Sequence, residues 1–270
     1  MSEEPKKEEQ PKEEPPKEEE EIKLSWPPLE SDPQIFNDYF HSIGMKPDVY
    51  FKELLSLVDI SAFLSISGPL LGVILNFSRV EEKEKEEKEE KEEKEEKEKK
   101  KYSTIEDVPY FMKQTHQLDN ACGLIAALHV LGNCKSGNMQ FQSGSVLENF
   151  FKSAKNLNPM DRANLLENDD KFKKAHKHFS DKGQTDMKKE VKNDFVGHYI
   201  GFLNVGGKLV EFDGIKDAPR IIKEGINDGN FLDLTLEEIL RRINDKEIKE
   251  QVNVMVVADD ETQLVDFLAE

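Results

Sequence analysis

Apolar side chains in the first third of the chain recur in short runs, and the spacing within each run predicts its conformation. After Asp32-Pro33, apolar residues return every three or four positions until Gly44, which predicts a helix with a proline in its first turn and a glycine at its end. The apolar run Val49–Leu57 is predicted as a second helix. Leu70–Phe77 is nearly continuous and short, which is typical of a buried strand.

In the rest of the chain, segments with the spacing of a helix and segments with the spacing of a strand follow one another without a regular strand–helix alternation. Apolar residues at helical spacing predict four helices, at Asn120–Asn133, Ser145–Leu157, Asp161–Phe179 and Thr235–Asn244. A glycine pair predicts a β-hairpin within Phe195–Asp213, and Val252–Ala258 is predicted as a final strand. Thr235 and Glu238 have the spacing of a helix capping box. This mixture indicates an α+β fold with an antiparallel sheet.

Two charged, low-complexity segments lie outside this pattern. Residues 1–22 contain ten Glu and four Lys. Such a segment buries too little apolar surface to offset its ordering entropy, so residues 1–23 are predicted to be a disordered acidic tail. Residues 81–101 contain twelve Glu and nine Lys and have no apolar face. They are predicted to be a surface insertion, either a solvated helix or a loop, in one folded domain of residues 24–270.

Charge and cysteine content exclude several classes of function. The formal net charge is -18, and an acidic surface repels nucleic-acid phosphates. The chain has two cysteines, Cys122 and Cys134, which are too few for a disulfide framework and so favour a reducing compartment. They also lack the ligand spacing of a zinc site, so no bound metal is expected. The start of the chain is not expected to be a signal peptide, and the longest apolar stretch, Pro69–Phe77, is too short to span a membrane. We expect a protein of the cytoplasm, and also of the nucleus, with neither nucleic acid nor membrane as a partner.

Cys122 is the first candidate for chemistry because it falls in the first turn of a predicted helix. Asn120 is a preferred N-cap residue, and the free amides and dipole at a helix start favour a thiolate. Ala121 and Gly123 are small enough to leave room for a substrate carbonyl. This segment alone leaves a reactive nucleophile and a buried structural cysteine equally open. Cys134 lies in a polar turn and is expected to be inert.

The predicted hairpin brings a histidine next to an aspartate. With Gly206-Gly207 as a two-residue turn, cross-strand pairing places Asp213 opposite Ile200. His198 lies two residues from Ile200 on the same face, so His198 and Asp213 are diagonal neighbours within side-chain reach. The pair has the composition of a general base and its orienting carboxylate. A hairpin that simply has polar ends is the alternative.

The other five histidines are weaker candidates for the base. His116 is near Cys122 in sequence and is the hardest of them to exclude. His129 lies seven residues after Cys122 in the same predicted helix and is expected to point away from it. The rest are expected to be solvated helix residues: His41, His176 and His178.

Several motifs in order along the chain resemble the ubiquitin carboxyl-terminal hydrolase family of cysteine peptidases. They are Trp26–Glu30, Tyr110–Thr115, Asn120–Gly123, Gly144–Leu147, Pro159–Ala163, and His198 followed by Leu209–Gly214. The similarity extends from residue 24 to about residue 260, apart from the Glu/Lys insertion. The resemblance implies a papain-like, knotted single domain whose central antiparallel sheet is flanked by helices.

The same resemblance implies the chemistry. Cys122 would be the nucleophile, His198 the general base and proton donor, and Asp213 the residue that orients the histidine. The implied activity is thiol-dependent hydrolysis of small adducts from the C-terminal glycine of ubiquitin or a ubiquitin-like protein, by a monomer that needs no cofactor or metal. It also implies a substrate-gating loop above the site, here Asp181–Phe195 with Gly183 near its start.

One feature departs from the family pattern. The family places an oxyanion-hole glutamine six residues before the cysteine, and this chain has His116 at that position. Gln114 lies eight residues before Cys122 and Gln117 five before it. Gln114 is favoured because the flanking run Tyr110–Thr115 matches intact, with Gln117 as the alternative. The altered spacing is also the one feature that favours a catalytically impaired relative that binds ubiquitin without cutting it.

Overall fold

The computed structural model describes residues 26–58, 66, 68–79, 103–105, 108–134, 141–183 and 197–259. The predicted acidic tail and the Glu/Lys tract lie outside the described residues. Of the predicted gating loop, Asp181 and Gly183 are described, whereas Phe195 is not. Within the described ranges, every helix falls short of the length and apolar character that crossing a membrane requires.

A single antiparallel sheet forms the centre of the described structure, with its seven strands in the order β1-β7-β2-β4-β5-β6-β3. The strands are β1 (Val49–Glu53), β2 (Leu70–Arg79), β3 (Ser103–Thr104), β4 (His198–Val205), β5 (Lys208–Phe212), β6 (Arg220–Glu224) and β7 (Ile248–Asp259). The long strand β7 pairs with β1 on one side and with β2 on the other. The end of the described chain therefore completes the sheet between two strands that come much earlier in the sequence.

Helices cover both faces of the sheet. They are α1 (Pro33–Ser42), α2 (Cys122–Asn133), α3 (Val146–Ala154), α4 (Pro159–Glu167), α5 (Asp170–Ser180) and α6 (Phe231–Asn244), with a short 3-10 turn at His116–Leu118. Side chains of α1 to α5 share one hydrophobic cluster with one face of the sheet, and α6 shares another with the opposite face. On β2, Ile74 belongs to the first cluster, and Val73 and Leu75 belong to the second, as the two-residue period of a strand requires. The predicted α+β class, a sheet flanked by helices, is confirmed.

The helix predicted after Asp32 is confirmed as α1. The Asp32 side chain accepts a hydrogen bond from the Gln34 amide at 2.7 Å, and Pro33 occupies the first helical position. Gly44 ends the helical segment with a φ of 107°, a conformation that disfavours residues with a Cβ atom. The apolar side of α1, including Phe36 and Phe40, is buried.

The helix predicted for Val49–Leu57 is wrong. Val49–Glu53 is strand β1, and residues 54–57 of the predicted run are not helical. The run opens with Val-Tyr-Phe, residue types that suit a strand, and so short an apolar run has no decisive period. Pairing with β7, from Val49 opposite Asp259 to Glu53 opposite Met255, supplies the backbone hydrogen bonds. The long-range partner therefore decides the conformation.

The predicted helix Asp161–Phe179 is divided in two. Helix α4 ends at Glu167 and α5 begins at Asp170. Between them, the Asp169 side chain accepts hydrogen bonds from two backbone amides of the next turn, at 2.9 and 3.0 Å. This side chain caps a new helix and changes the chain direction, so that the apolar faces of both helices reach the same core.

The last helix begins earlier than predicted, and two strands were not predicted. Helix α6 begins at Phe231, and the Thr235 hydroxyl donates to the Phe231 carbonyl at 2.8 Å instead of capping the helix. The predicted capping box is therefore wrong. Strands β3 and β6 are short and lie towards the sheet edge, with exposed or half-buried residues. Neither has the apolar run by which a sequence pattern identifies a strand.

Candidate active site

Cys122 is the first residue of helix α2, and its side chain is 4% exposed. Ala121 occupies the N-cap position and makes no side-chain capping bond, so the predicted Asn120 cap is wrong. Backbone amides of the first turn are left without a capping side chain, and together with the helix dipole they favour negative charge on the sulfur. The Cys122 Sγ atom lies 4.0 Å from the carbonyl oxygen of Gly197, the residue just before β4.

The hairpin places His198 against Asp213, as its register predicted. Gly206 and Gly207 have positive φ values of 59° and 81°, and Gly201 pairs with Phe212. This is the register that the two-residue turn requires. At the open end of the hairpin, His198 Nε2 lies 2.8 Å from Asp213 Oδ1 and donates its hydrogen to it.

Packing fixes both members of this pair. The Asp213 side chain is 4% exposed, and its Oδ1 also accepts a hydrogen bond from the Ile215 amide at 3.1 Å. Phe77 lies opposite His198 on the neighbouring strand, with an edge-on ring contact and a centroid distance of 5.8 Å. With Nε2 committed to Asp213, the other ring nitrogen of His198 is the one left for Cys122.

His198 and Asp213 shift each other's pKa values towards the charged forms. Burial alone lowers the pKa of His198, but hydrogen bonds and attraction from Asp213 and Cys122 outweigh burial and raise that pKa to about 10. Burial raises the pKa of Asp213, but the hydrogen bond and positive charge of His198 prevail and hold it below its usual value. At neutral pH the arrangement therefore favours an imidazolium beside the Asp213 carboxylate.

Of the two candidate glutamines, Gln114 lies beside the site. Its backbone amide donates to the Gly214 carbonyl at 2.8 Å, directly after Asp213. Its side-chain Nε2 donates to the Asp119 carbonyl at 2.6 Å, and its Oε1 is buried and has no partner in the described chain. Gln117 and His116 lie on the 3-10 turn and are exposed.

The two other fully buried histidines form hydrogen bonds to the backbone away from Cys122. His129 is fully buried, with Nε2 3.1 Å from both the backbone nitrogen and the oxygen of Met112. His176 was expected to be solvated, and this prediction is wrong. It is also fully buried, with Nε2 2.6 Å from the Pro27 carbonyl and its ring 5.2 Å from that of Trp26. Lysines occupy the outer face of α5, whereas His176 lies on its inner face and holds the N-terminal segment.

The sequence reasoning missed Asn76 and Gly197 as residues of this site. A Cβ atom built on Gly197 would lie 2.1 Å from Asn76 Oδ1, so Gly197 allows a close approach of β2 to the segment beside Cys122. One signal was present, since Asn76 is a polar residue inside the apolar run Leu70–Phe77. Among the residues that the structure describes, no group of three or more His, Cys, Asp or Glu side chains is arranged to hold a metal ion.

Comparison with known proteins identifies the family of this chain. The family model described as ubiquitin carboxyl-terminal hydrolase, family 1, matches residues 26–244. Ubiquitin carboxyl-terminal hydrolase 3 of Arabidopsis thaliana is 34% identical over 194 residues, which are 72% of this chain and 77% of that protein. A ubiquitin carboxyl-terminal hydrolase of Drosophila melanogaster is 33% identical over 202 residues, 75% of this chain and 83% of that protein.

A solved structure shares the fold. The crystal structure of the Trichinella spiralis UCH37 catalytic domain bound to ubiquitin vinyl methyl ester matches with a TM-score of 0.64 and 24% sequence identity, covering 87% of this chain and 96% of that one. This likeness supports the architecture, and the sequence matches support the family. The chain therefore belongs to the ubiquitin carboxyl-terminal hydrolase family, and it is a deubiquitinating enzyme of the cysteine peptidase class.

Proposed function

We propose that Cys122, His198 and Asp213 form the catalytic triad that releases small adducts from the C-terminal glycine of ubiquitin or a ubiquitin-like protein. The observation that carries this proposal is the 2.8 Å contact between His198 and Asp213 beside a cysteine at a helix start. Three separate elements contribute these residues, and packing fixes each of them. The arrangement provides a nucleophile, a base and an orienting group, which acyl transfer requires.

The proposed reaction begins with attack of the Cys122 thiolate on the carbonyl carbon of the substrate's C-terminal glycine. A C–S bond forms, and the oxyanion lies near the backbone amide of Cys122. The side chain of Gln114 is our choice for the second donor, because Gln117 is exposed on the turn. The His198 imidazolium gives its proton to the leaving nitrogen, and the C–N bond breaks to leave a thioester.

Water completes the proposed cycle. Neutral His198 takes a proton from the water molecule, whose oxygen attacks the thioester carbonyl. The C–S bond then breaks, and the substrate leaves with a free carboxylate. Asp213 keeps its hydrogen bond to Nε2 throughout, so that the other ring nitrogen faces the sulfur and the reacting atoms. No step in this sequence requires a metal ion or an added cofactor.

Ubiquitin is the proposed substrate because of the family and because the Trichinella spiralis relative is bound to ubiquitin vinyl methyl ester in its structure. The preference for small leaving groups rests on the recessed nucleophile. Cys122 and Asp213 are each 4% exposed, so an extended chain terminus can reach the sulfur more easily than a junction between two folded domains.

A fluorogenic amide of the ubiquitin C-terminus tests the proposed triad. We expect release of the fluorophore by the wild-type enzyme and by Cys134→Ser, and none by Cys122→Ser. Cys134 is the matched control because it is also buried in the same helix region, with its Sγ 3.2 Å from the Leu131 carbonyl. Binding of ubiquitin without release by the wild type would instead support the catalytically impaired relative.

A second substrate tests the preference for small leaving groups. Isopeptide-linked diubiquitin should be cleaved much more slowly than the fluorogenic amide at the same enzyme concentration. Equal kcat/KM values for the two substrates would show that the recess does not limit the leaving group.

A further inference from the structure

Asn76 is a polar residue at an unusual place in the sheet. It lies in β2, a central strand whose neighbouring residues Leu75 and Phe77 are buried and apolar. In register it pairs with Tyr199 of β4 on one side and with Asn253 of β7 on the other. These three residues form a row across the sheet, on the face that carries helix α2.

The other members of this row are hydrogen-bonded. Asn253 Oδ1 accepts from the Ser31 hydroxyl at 2.7 Å, and its Nδ2 donates to Glu53 at 2.5 Å. The Tyr199 hydroxyl donates to the Leu29 carbonyl at 3.0 Å. The row therefore fixes the segment that precedes α1 onto the sheet, and its end residues have their polar groups satisfied.

The side chain of Asn76 differs from its neighbours. Its Oδ1 is excluded from solvent, and in the described chain it has no hydrogen-bond partner. An amide oxygen buried in this way destabilises a fold, and such groups are uncommon in native proteins. A leucine would fill the same space in this apolar strand without that cost. The amide therefore calls for a partner outside the described residues.

The position of this amide points to the substrate. Asn76 Oδ1 contacts the α-carbon side of Gly197, where a Cβ atom would lie only 2.1 Å away. The carbonyl of the same Gly197 is 4.0 Å from Cys122 Sγ. A single glycine therefore separates the amide from the nucleophile. A side-chain amide carries one acceptor oxygen and a donor nitrogen, so it can pair with a peptide group in both directions.

We propose that the Asn76 side chain binds a backbone amide of the extended C-terminal segment of the substrate, next to the glycine that Cys122 attacks. This inference rests on the proposed function and adds a binding residue to it. Rotation of the Asn76 amide about its soft terminal torsion turns the oxygen from Gly197 towards the bound chain. Asn76 thus contributes to affinity for the substrate, and the chemistry remains with the triad.

Asn76→Leu tests the proposal, because leucine has a similar size and lacks the amide. Loss of one substrate hydrogen bond should raise KM for the fluorogenic ubiquitin amide about three- to tenfold. The value of kcat should stay within about twofold, since the bond is present in ground and transition states alike. The Kd for ubiquitin, measured by fluorescence anisotropy on the Cys122→Ala background, should rise by the same factor as KM.

Two further measurements separate substrate binding from support of the site. Alkylation of Cys122 by iodoacetamide should proceed at the wild-type rate in Asn76→Leu, and the melting temperature should not fall. Asn204→Leu is the matched control. It also removes a hydrogen-bonded amide from this sheet, but from the opposite face, where Asn204 Nδ2 donates to Asp228 at 2.7 Å and Oδ1 accepts from the Gly207 amide at 3.0 Å. Asn204 lies six residues along β4 from His198 and so about 20 Å away. It should leave KM and kcat unchanged.

These measurements distinguish a substrate-binding role of Asn76 from a structural one. Unchanged KM and Kd in Asn76→Leu would overturn the proposal and indicate that the amide binds only water. A lower kcat or slower alkylation with unchanged KM would also overturn it, because Asn76 would then position Gly197 instead of binding substrate. A wild-type enzyme that binds ubiquitin but releases no fluorophore contradicts the proposed function alone, since the anisotropy comparison still measures the role of Asn76.

Discussion

Replacing Asp213 with asparagine isolates the contribution of one buried charge to the site. Asparagine keeps the size of the side chain and an oxygen that can accept from His198 Nε2, so the orientation of the ring should be preserved. The charge it removes lies 2.8 Å from the imidazole on a side chain that is 4% exposed. In such a setting water screens the interaction weakly. The Asp213→Asn substitution therefore removes most of the stabilisation that the carboxylate gives to the imidazolium.

The expected fall in the pKa of His198 follows from the difference between a charged and a neutral hydrogen bond. Bonds to a charged group contribute about 1.5–3 kcal/mol, and neutral ones about 0.5–1.5 kcal/mol. The difference, roughly 1–2 kcal/mol, corresponds to a fall of about one pKa unit in His198, or somewhat more with the longer-range attraction included. The pKa of His198 in the native protein is raised to about 10, so the imidazolium persists well above neutral pH.

The sign of the pH effect follows from that raised pKa. Imidazolium is the form that protonates the leaving nitrogen, so activity should be lost as the pH rises through the pKa of His198. In Asp213→Asn this loss should begin at a pH lower by about one unit or more. The same group stabilises the fold fully below its unfolded pKa of about 6.5, and that contribution is lost as the pH rises towards 10.

The assay is the kcat/KM for the fluorogenic ubiquitin amide between pH 6 and pH 10.5. Asp217→Asn is the control, because it removes the same charge four residues further along, from a side chain that is 96% exposed. The control should reproduce the wild-type alkaline limb. An alkaline limb that does not move in Asp213→Asn would refute the argument that this carboxylate holds the proton on His198.

Three other predictions follow from the same structure. Iodoacetamide should alkylate Cys122 faster than Cys134 at neutral pH, as measured by peptide mapping, because a helix start and an imidazolium favour a thiolate only at Cys122; equal rates would remove the case for activation. Gln114→Ala should lower kcat by about 10²–10³ and Gln117→Ala should change it little, whereas the reverse result would make Gln117 the oxyanion donor. The free energy of unfolding should fall as the pH falls from 6.5 towards 4, because burial lowers the pKa of His176 to about 4 and the unfolded chain binds the proton first; chemical denaturation of His176→Phe should show a shallower slope, by up to about 1.4 kcal/mol per pH unit.

The local features of the site could be predicted from the sequence because each depends on near neighbours. The glycine pair at 206 and 207 sets the hairpin register, and the two-residue period then brings His198 and Asp213 to one face. The apolar spacing after Cys122 places that residue in the first turn of a helix. Patterns of this kind extend over fewer than twenty residues, and no distant part of the chain has to be known to interpret them.

Only the tertiary structure decided the features that join distant parts of the chain. Strand β1 was predicted as a helix because its conformation is set by β7, about two hundred residues later. His176 was expected in solvent because nothing in its own helix indicates that the Pro27 carbonyl lies against it. Asn76 belongs to the site only through its pairing with Tyr199 and its contact with Gly197. Packing between segments that are far apart in sequence leaves no local periodicity, so these contacts become visible only in the folded chain.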